Sequence, residues 1–237
     1  MSAFISGLGW ITAAGMGSGK DQGLFSMSTT PPAPVDRKDV FDRPYKNFGR
    51  MDEYSRLGLA AIAFALRDAG LEQSDIQRNI GLVAQTEYGC LWTDIDYYRS
   101  ALPHRGTMAS PNLFAYTLPN CFMGEAAIRF GLTGESYIVN EPSASGLTAL
   151  ALAMVDIAAG EALTMICGRC DLGRPALLES PAKVAAGALF FVLENAMEPQ
   201  RKTYGELDRT RDGQLVFNGE TISDLSALAR KCLQIKR

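Results

Sequence analysis

The segment Tyr137-Ile138-Val139-Asn140-Glu141-Pro142-Ser143-Ala144-Ser145-Gly146-Leu147-Thr148-Ala149-Leu150 passes from an extended pattern to a helical one. A short β-branched run enters a turn of small residues, and an Ala/Leu/Met-rich segment follows to about Ala159. The pattern predicts strand, sharp elbow and buried helix. Such an elbow presents one side chain at a helix N-terminus, where free N–H groups and the helix dipole favour negative charge. Ser143 holds that position.

Upstream, residues 120–131 read as a helix and Ile80–Thr86 as a strand. From Asp52, the residues Tyr54, Leu57, Ala61, Ile62, Ala65 and Ala69 form one stripe at helical spacing, with Gly70 as the stop. Phe4–Leu8 is a first apolar strand, and the proline-rich residues 28–50 read as a long surface connection. Downstream, Leu163–Cys167 and Ala185–Glu194 are strands, and Ala144–Ala159, apolar all round, is expected to be central and buried. Thr221-Ile222-Ser223-Asp224 opens a last helix with Leu225, Leu228, Ala229, Cys232 and Leu233 on one face. Strands alternating with helices predict an α/β layer fold with a mainly parallel sheet.

The same segments resemble a known family. Strand–A-C-A-S-G–helix is the nucleophile elbow of the β-ketoacyl synthases of the thiolase superfamily, and Ser143-Ala144-Ser145-Gly146 is similar to it with serine replacing the reactive cysteine. Ile5-Ser6-Gly7-Leu8-Gly9 resembles the family's first strand, and Arg50-Met51-Asp52-Glu53-Tyr54-Ser55-Arg56 its "RMDRxSR" helix entry. Ser110-Pro111-Asn112-Leu113-Phe114, Thr117-Leu118-Pro119-Asn120, Gly124 and Phe130-Gly131-Leu132-Thr133-Gly134 follow its "SPxxFxxTLxN…G…FGLxG" run, and Ala186–Glu194 its "GAAALVLE" strand. In order, these motifs cover roughly residues 3 to 197, far more specific than any one alone.

The resemblance implies half of the thiolase fold: a five-stranded mixed sheet between helices in the order 3-2-4-5-1, the last strand antiparallel and the elbow strand at an edge. Residues 1–200 are expected to form the ketosynthase N-terminal-like domain and 201–237 a C-terminal extension with a covering helix. No counterpart of the family's second half, which carries its two catalytic histidines, is expected in that extension. Ser143 is then a vestigial catalytic position, with Glu141, Ala144, Gly146 and Phe114 as binding positions. The implied role is a non-catalytic accessory protein of fatty-acid-like or polyketide biosynthesis, a pseudoenzyme of the chain-length-factor kind. Its expected partners are a second copy or an active ketosynthase, with acyl carrier protein as a further one. Two alternatives stand beside this: a serine acyltransferase or thioesterase using Ser143, with His104 as base, and a structural homodimer without acyl chemistry.

Composition narrows the field. The chain has 237 residues, 47% hydrophobic and 21% charged, as in ordinary globular proteins, and its net charge of -3 argues against nucleic acid or anionic membrane as a partner. Residues 1–19 are uncharged, yet they lack a basic n-region and are broken by glycines at 7, 9, 15, 17 and 19, so no targeting segment is read there. Five cysteines, odd in number and irregularly spaced, fit a reducing cytoplasm. Gly15-Met16-Gly17-Ser18-Gly19-Lys20 fails the phosphate-loop spacing at Ala14 and Asp21. Cys167-Gly168-Arg169-Cys170 invites a redox or zinc reading, but no further cysteine or histidine has partner spacing, so neither metal nor cofactor is expected.

The chemistry at the elbow is limited. A serine hydroxyl needs a base to become a nucleophile, and a helix dipole contributes only about 1 kcal/mol to an oxyanion. Glu141 adds negative charge two residues before Ser143, and Pro142 removes a backbone donor. Ser143 therefore reads either as an acyl acceptor or as a small turn residue with a capping hydroxyl.

Overall fold

The computed structural model describes residues 1–20, 24–72, 76–142, 145–178, 184–197 and 201–235. Strand β1 (Ser2–Thr12) folds back on β2 (Gly15–Ser18), so the glycine-rich run is half of a hairpin, and among the described residues no helix opens on it to hold a phosphate. The proline-rich connection does not stay on the surface. It contains α1 (Arg37–Val40) and a 3-10 turn at Lys46–Arg50, and it is anchored by the buried side chains of Val35, Val40, Phe41 and Phe48. Each buried phenyl ring is worth about 1.5–3 kcal/mol, enough to hold down a segment that its prolines already restrict.

Helix α2 (Glu53–Asp68) starts where Asp52 caps it: Oδ1 accepts from the Ser55 N–H at 2.9 Å. Asp52 Oδ2 accepts from the Thr93 hydroxyl as well, which ties the cap to α3 (Leu91–Ala101). Strand β1 crosses α2 so closely that a Cβ on Gly7 or Gly9 would stand 2.3 Å from the Ala65 backbone. Only glycine allows that approach.

Strand β3 (Ile80–Thr86) leads into α3, and α4 (Pro111–Phe114) and α5 (Cys121–Phe130) lead into β4 (Ser136–Asn140). Helix α6 (Thr148–Ala159) then connects to β5 (Thr164–Asp171), followed by β6 (Gly187–Glu194). The remainder forms β7 (Gly205–Arg209), β8 (Leu215–Phe217), β9 (Glu220–Thr221) and α7 (Leu225–Gln234).

The sheet order is β4-β3-β5-β6-β1-β7-β8-β9, with β2 paired to β1. Its first five members have the order expected: β3 lies parallel between β4 and β5, and β6 runs antiparallel to β5 and β1. The strand count differs. Nine strands are present among the described residues, because β2 and the tail strands β7–β9 extend the sheet beyond five. The tail's turn signal is local: Asn218 and Gly219, both at positive φ (49° and 85°), make the two-residue connection that matches strand twist between β8 and β9.

Two cores lie on opposite faces of the sheet. Helices α2 and α5 cover one, and α6 and α7 the other. Helix α7 buries Leu225, Leu228, Ala229 and Cys232, but its cap is Asp224, which accepts from the Ala227 N–H at 2.8 Å. Thr221 is instead spent in β9. Helix α6 is buried on one side only, through Ala149, Leu150, Ala153, Met154 and Ile157, while Val155 is 38% exposed. Its all-round apolar sequence exceeds what the described residues cover. No helix among them is long and apolar enough to cross a membrane.

Candidate functional site

The elbow lies at the C-terminal end of the parallel strands, where open α/β sheets place their sites. Strand β4 is the sheet's edge, and the Glu141 N–H donates to the Thr86 carbonyl at 3.0 Å, so the chain follows β3 as far as Glu141. Ser143 and Ala144 lie outside the described residues. The turn resumes at Ser145, whose hydroxyl accepts from the Leu147 N–H at 3.3 Å, and Gly146 takes φ 68°, a value that favours glycine. Helix α6 begins at Thr148, later than the sequence pattern predicts.

The turn is packed by the chain itself. A Cβ on Gly146 would meet Leu225 Cδ1 at 2.8 Å and Arg169 Cδ at 3.4 Å. The Leu225 N–H donates to the Ser145 carbonyl at 2.9 Å, fixing the start of α7 on the turn. The Arg169 guanidinium pairs with Asp171 Oδ2 at 2.9 Å, and both residues are buried. Asp171 Oδ1 accepts from the Thr86 hydroxyl and from the N–H groups of Glu87 and Tyr88, at 2.9, 3.0 and 3.0 Å. This fully satisfied carboxylate pins the turn that leaves β3. Gln85 stands beside Arg169 in the sheet register. Gln85 Oε1, Arg169 Nε and Glu141 Oε2 are buried atoms without a hydrogen-bond partner among the described residues.

The other sequence candidates fall elsewhere. Phe114 is 62% exposed on α4, its ring packed against Tyr97 of α3 at 5.4 Å between centroids. His104 ends the 3-10 turn Leu102–His104. Cys167 and Cys170 sit on β5 three residues apart, so strand alternation sends them to opposite faces and into different cores. They can neither bond to each other nor share a metal. Burial pushes both thiols well up, and it pushes Cys90 up to about 12, the neighbouring Asp94 adding to the effect. Burial likewise raises Cys121 and the Asp94 carboxyl. Asp96 makes an exposed ion pair with Arg99 at 3.2 Å. Among the described residues, no three His, Cys, Asp or Glu side chains gather as a metal ion requires. The sequence reading gives no site role to Gln85, Arg169, Asp171 or Leu225; Leu225 enters it only as a position on the apolar face of the last helix. The visible signal for two of them is a charged pair, Arg169 and Asp171, at the end of an otherwise apolar strand.

Comparison with known proteins bears on the family and the fold. The model of the β-ketoacyl synthase N-terminal domain matches residues 34–177. The 3-oxoacyl-[acyl-carrier-protein] synthase 2 of Vibrio cholerae is 27% identical over 179 residues, which are 75% of this chain and 42% of that protein. This chain thus spans about four-tenths of the length of the curated relatives it matches. Among solved structures, the AntDE:AntF complex of a type II PKS acyl-carrier protein with its ketosynthase shares the fold, with TM-score 0.66 and 20% identity over 87% of this chain and 67% of that one. A chain of the complex of the ketosynthase ApeO with its chain length factor ApeC, from Xenorhabdus doucetiae, matches with TM-score 0.56 and 16% identity, covering 83% of this chain and 80% of that chain. With the family model spanning more than half of its length, this chain belongs to the β-ketoacyl synthase N-terminal domain family.

Proposed function

We propose that this chain is a non-catalytic, ketosynthase-like accessory protein of β-ketoacyl biosynthesis, fatty-acid-like or polyketide, that works in the cytoplasm by pairing through β4 with itself or with an active ketosynthase. The observation that carries the reading is the packing of the turn by the chain's own side chains: the Leu225 N–H donates to the Ser145 carbonyl, and Leu225 and Arg169 both stand within 3.4 Å of where a Cβ on Gly146 would lie. An acyl group brought to Gly146 meets these two side chains. The elbow holds serine in place of a cysteine, with Glu141 just before it, and the raised thiols of Cys90, Cys121, Cys167 and Cys170 offer no substitute nucleophile.

Two further observations support pairing. The matched chain in the ketosynthase and chain length factor complex is covered almost as fully as this one, so the two are close in length. The AntDE:AntF complex includes an acyl-carrier protein, which supports carrier protein as a further partner. Residues 201–237 act in this reading as an extension whose helix covers the elbow face. The test is incubation of the purified chain with activated acyl thioesters, followed by intact-mass and peptide mapping. The expected result is unmodified protein. A stoichiometric acyl adduct on the peptide holding Ser143 would replace this reading with the acyltransferase one.

A further inference from the structure

Three polar side chains come together at the elbow end of the sheet, on the face covered by α6 and α7. Gln85 and Arg169 are register partners on the parallel strands β3 and β5. Strand alternation puts them on the same side as Val83 and Cys167, which belong to that core. Glu141 follows β4, and its N–H donates to the Thr86 carbonyl, so the ladder with β3 continues through it. Alternation from Tyr137 and Val139, which pack against the same core, turns Glu141 to that face as well.

Each of the three keeps a bonding atom unserved. Gln85 is 2% and Arg169 6% exposed, yet Gln85 Oε1 and Arg169 Nε have no hydrogen-bond partner among the described residues, and neither has the buried Glu141 Oε2. Asp171, the remaining charged group here, is taken up by donors from Arg169, Thr86, Glu87 and Tyr88. Folded interiors leave few polar atoms unpaired, so three on neighbouring strands call for a partner from outside the chain.

The balance of donors and acceptors identifies that partner. Gln85 Oε1 and Glu141 Oε2 each require a donor, and Arg169 Nε requires an acceptor. A metal ion or an ammonium group has nothing to offer the Arg169 N–H, and an anion has nothing to offer the two oxygens. Water donates twice and accepts, which completes the set with three bonds, the usual number for a buried water. Turning the Gln85 amide end for end gives two donors and one acceptor, and water fills that set equally.

We propose that Gln85, Glu141 and Arg169 form a binding site for one buried water molecule, and that this water ties the entry of the elbow to its exit. Glu141 stands at the entry. Arg169 reaches the exit, where its Cδ lies 3.4 Å from the place of a Cβ on Gly146. The bond from Leu225 to Ser145 holds the far side of the turn. Through the water, the near side is held to the same arginine.

The test combines crystallography of the full chain with oxygen-17 magnetic relaxation dispersion, which counts long-lived internal waters in solution. One density peak is expected at about 2.6–3.2 Å from all three atoms. Glu141→Gln keeps an acceptor oxygen and should keep the water. Glu141→Met has similar length and no acceptor, so the internal-water count should fall by one, and exchange of the Leu147 N–H beside Gly146 should quicken about ten-fold. Circular dichroism checks folding, and Gln85→Met makes the same removal from β3 if Glu141→Met does not fold. A peak bonded to only one of the three atoms, side chains bonded directly to one another with no density between them, or an unchanged water count in the folded methionine variant overturns the site. Loss of the water with unchanged exchange at Leu147 overturns the tie between the two ends of the turn.

Discussion

The backbone N–H of Leu225 donates to the carbonyl of Ser145 at 2.9 Å, so the first residue of the tail helix is fastened to the turn that follows the edge strand. The same leucine places its side chain over Gly146. The tail and the elbow are thus one structural unit, and loosening one should loosen the other.

Leu225→Ala removes a buried side chain from that contact and should cost about 2–5 kcal/mol of stability, read as a lower urea midpoint. Hydrogen exchange should also quicken at Leu147 and Thr148. Unchanged protection there, with the expected loss of stability, would show that the leucine serves the core and not the elbow.

The Arg169–Asp171 pair makes a second prediction. Asp171→Leu leaves the buried guanidinium without its counter-charge and should destabilise by about 3–5 kcal/mol. Replacing both, as Arg169→Met with Asp171→Leu, should recover much of that loss, since a buried ion pair exchanged for apolar packing is often neutral. The recovery will be partial, because Asp171 also accepts from Thr86, Glu87 and Tyr88. Denaturant titration of the two variants decides the matter. A double variant as unstable as the single one would rule out the stranded arginine as the cause.

Alkaline pH should weaken the fold. Burial holds Cys90 at about 12 and raises Cys167, Cys170 and the Tyr54 phenol above their ordinary values. An unfolded thiol ionises near about 8.5. Between that pH and the folded value the unfolded chain has released a proton that the folded chain keeps, so stability is full below about 8.5 and falls as pH rises. Urea midpoints measured from pH 7.5 to 10 should decline, and Cys90→Ala should flatten part of the slope. A level profile would contradict the burial of these groups.

Ser143→Cys should not produce a condensing or decarboxylating enzyme. The substitution leaves Leu225 and Arg169 packed at Gly146, and the chain contains a single histidine. Carbon dioxide release from malonyl-carrier protein, absent in the wild type and present in the variant, would show that the missing thiol was the sole defect.

Much of this arrangement was legible in the residues themselves. The stripe from Tyr54 to Ala69 and the strand Ile80–Thr86 follow from periodicity, and the order β4-β3-β5-β6-β1 from the family resemblance that the ordered motifs carry. Two further features are open to local reading. Asn218-Gly219 is a hairpin turn by composition, and residues three apart on a strand, such as Cys167 and Cys170, must face opposite ways.

What no local pattern contains is which distant groups meet. The Tyr204 hydroxyl donates to Asp68 at 2.7 Å across 136 residues of sequence, and the Leu8 N–H donates to the same carboxylate at 2.9 Å, so the tail is seated on β1 by a contact that exists only once the sheet has formed. The packing of Leu225 and Arg169 at Gly146 arises in the same way. Apolar periodicity is set by which face a residue must bury, a property of neighbours in the chain. Partnership between buried polar groups is set by desolvation, which penalises any group left unpaired in the folded interior and is therefore settled only by the packing of the whole.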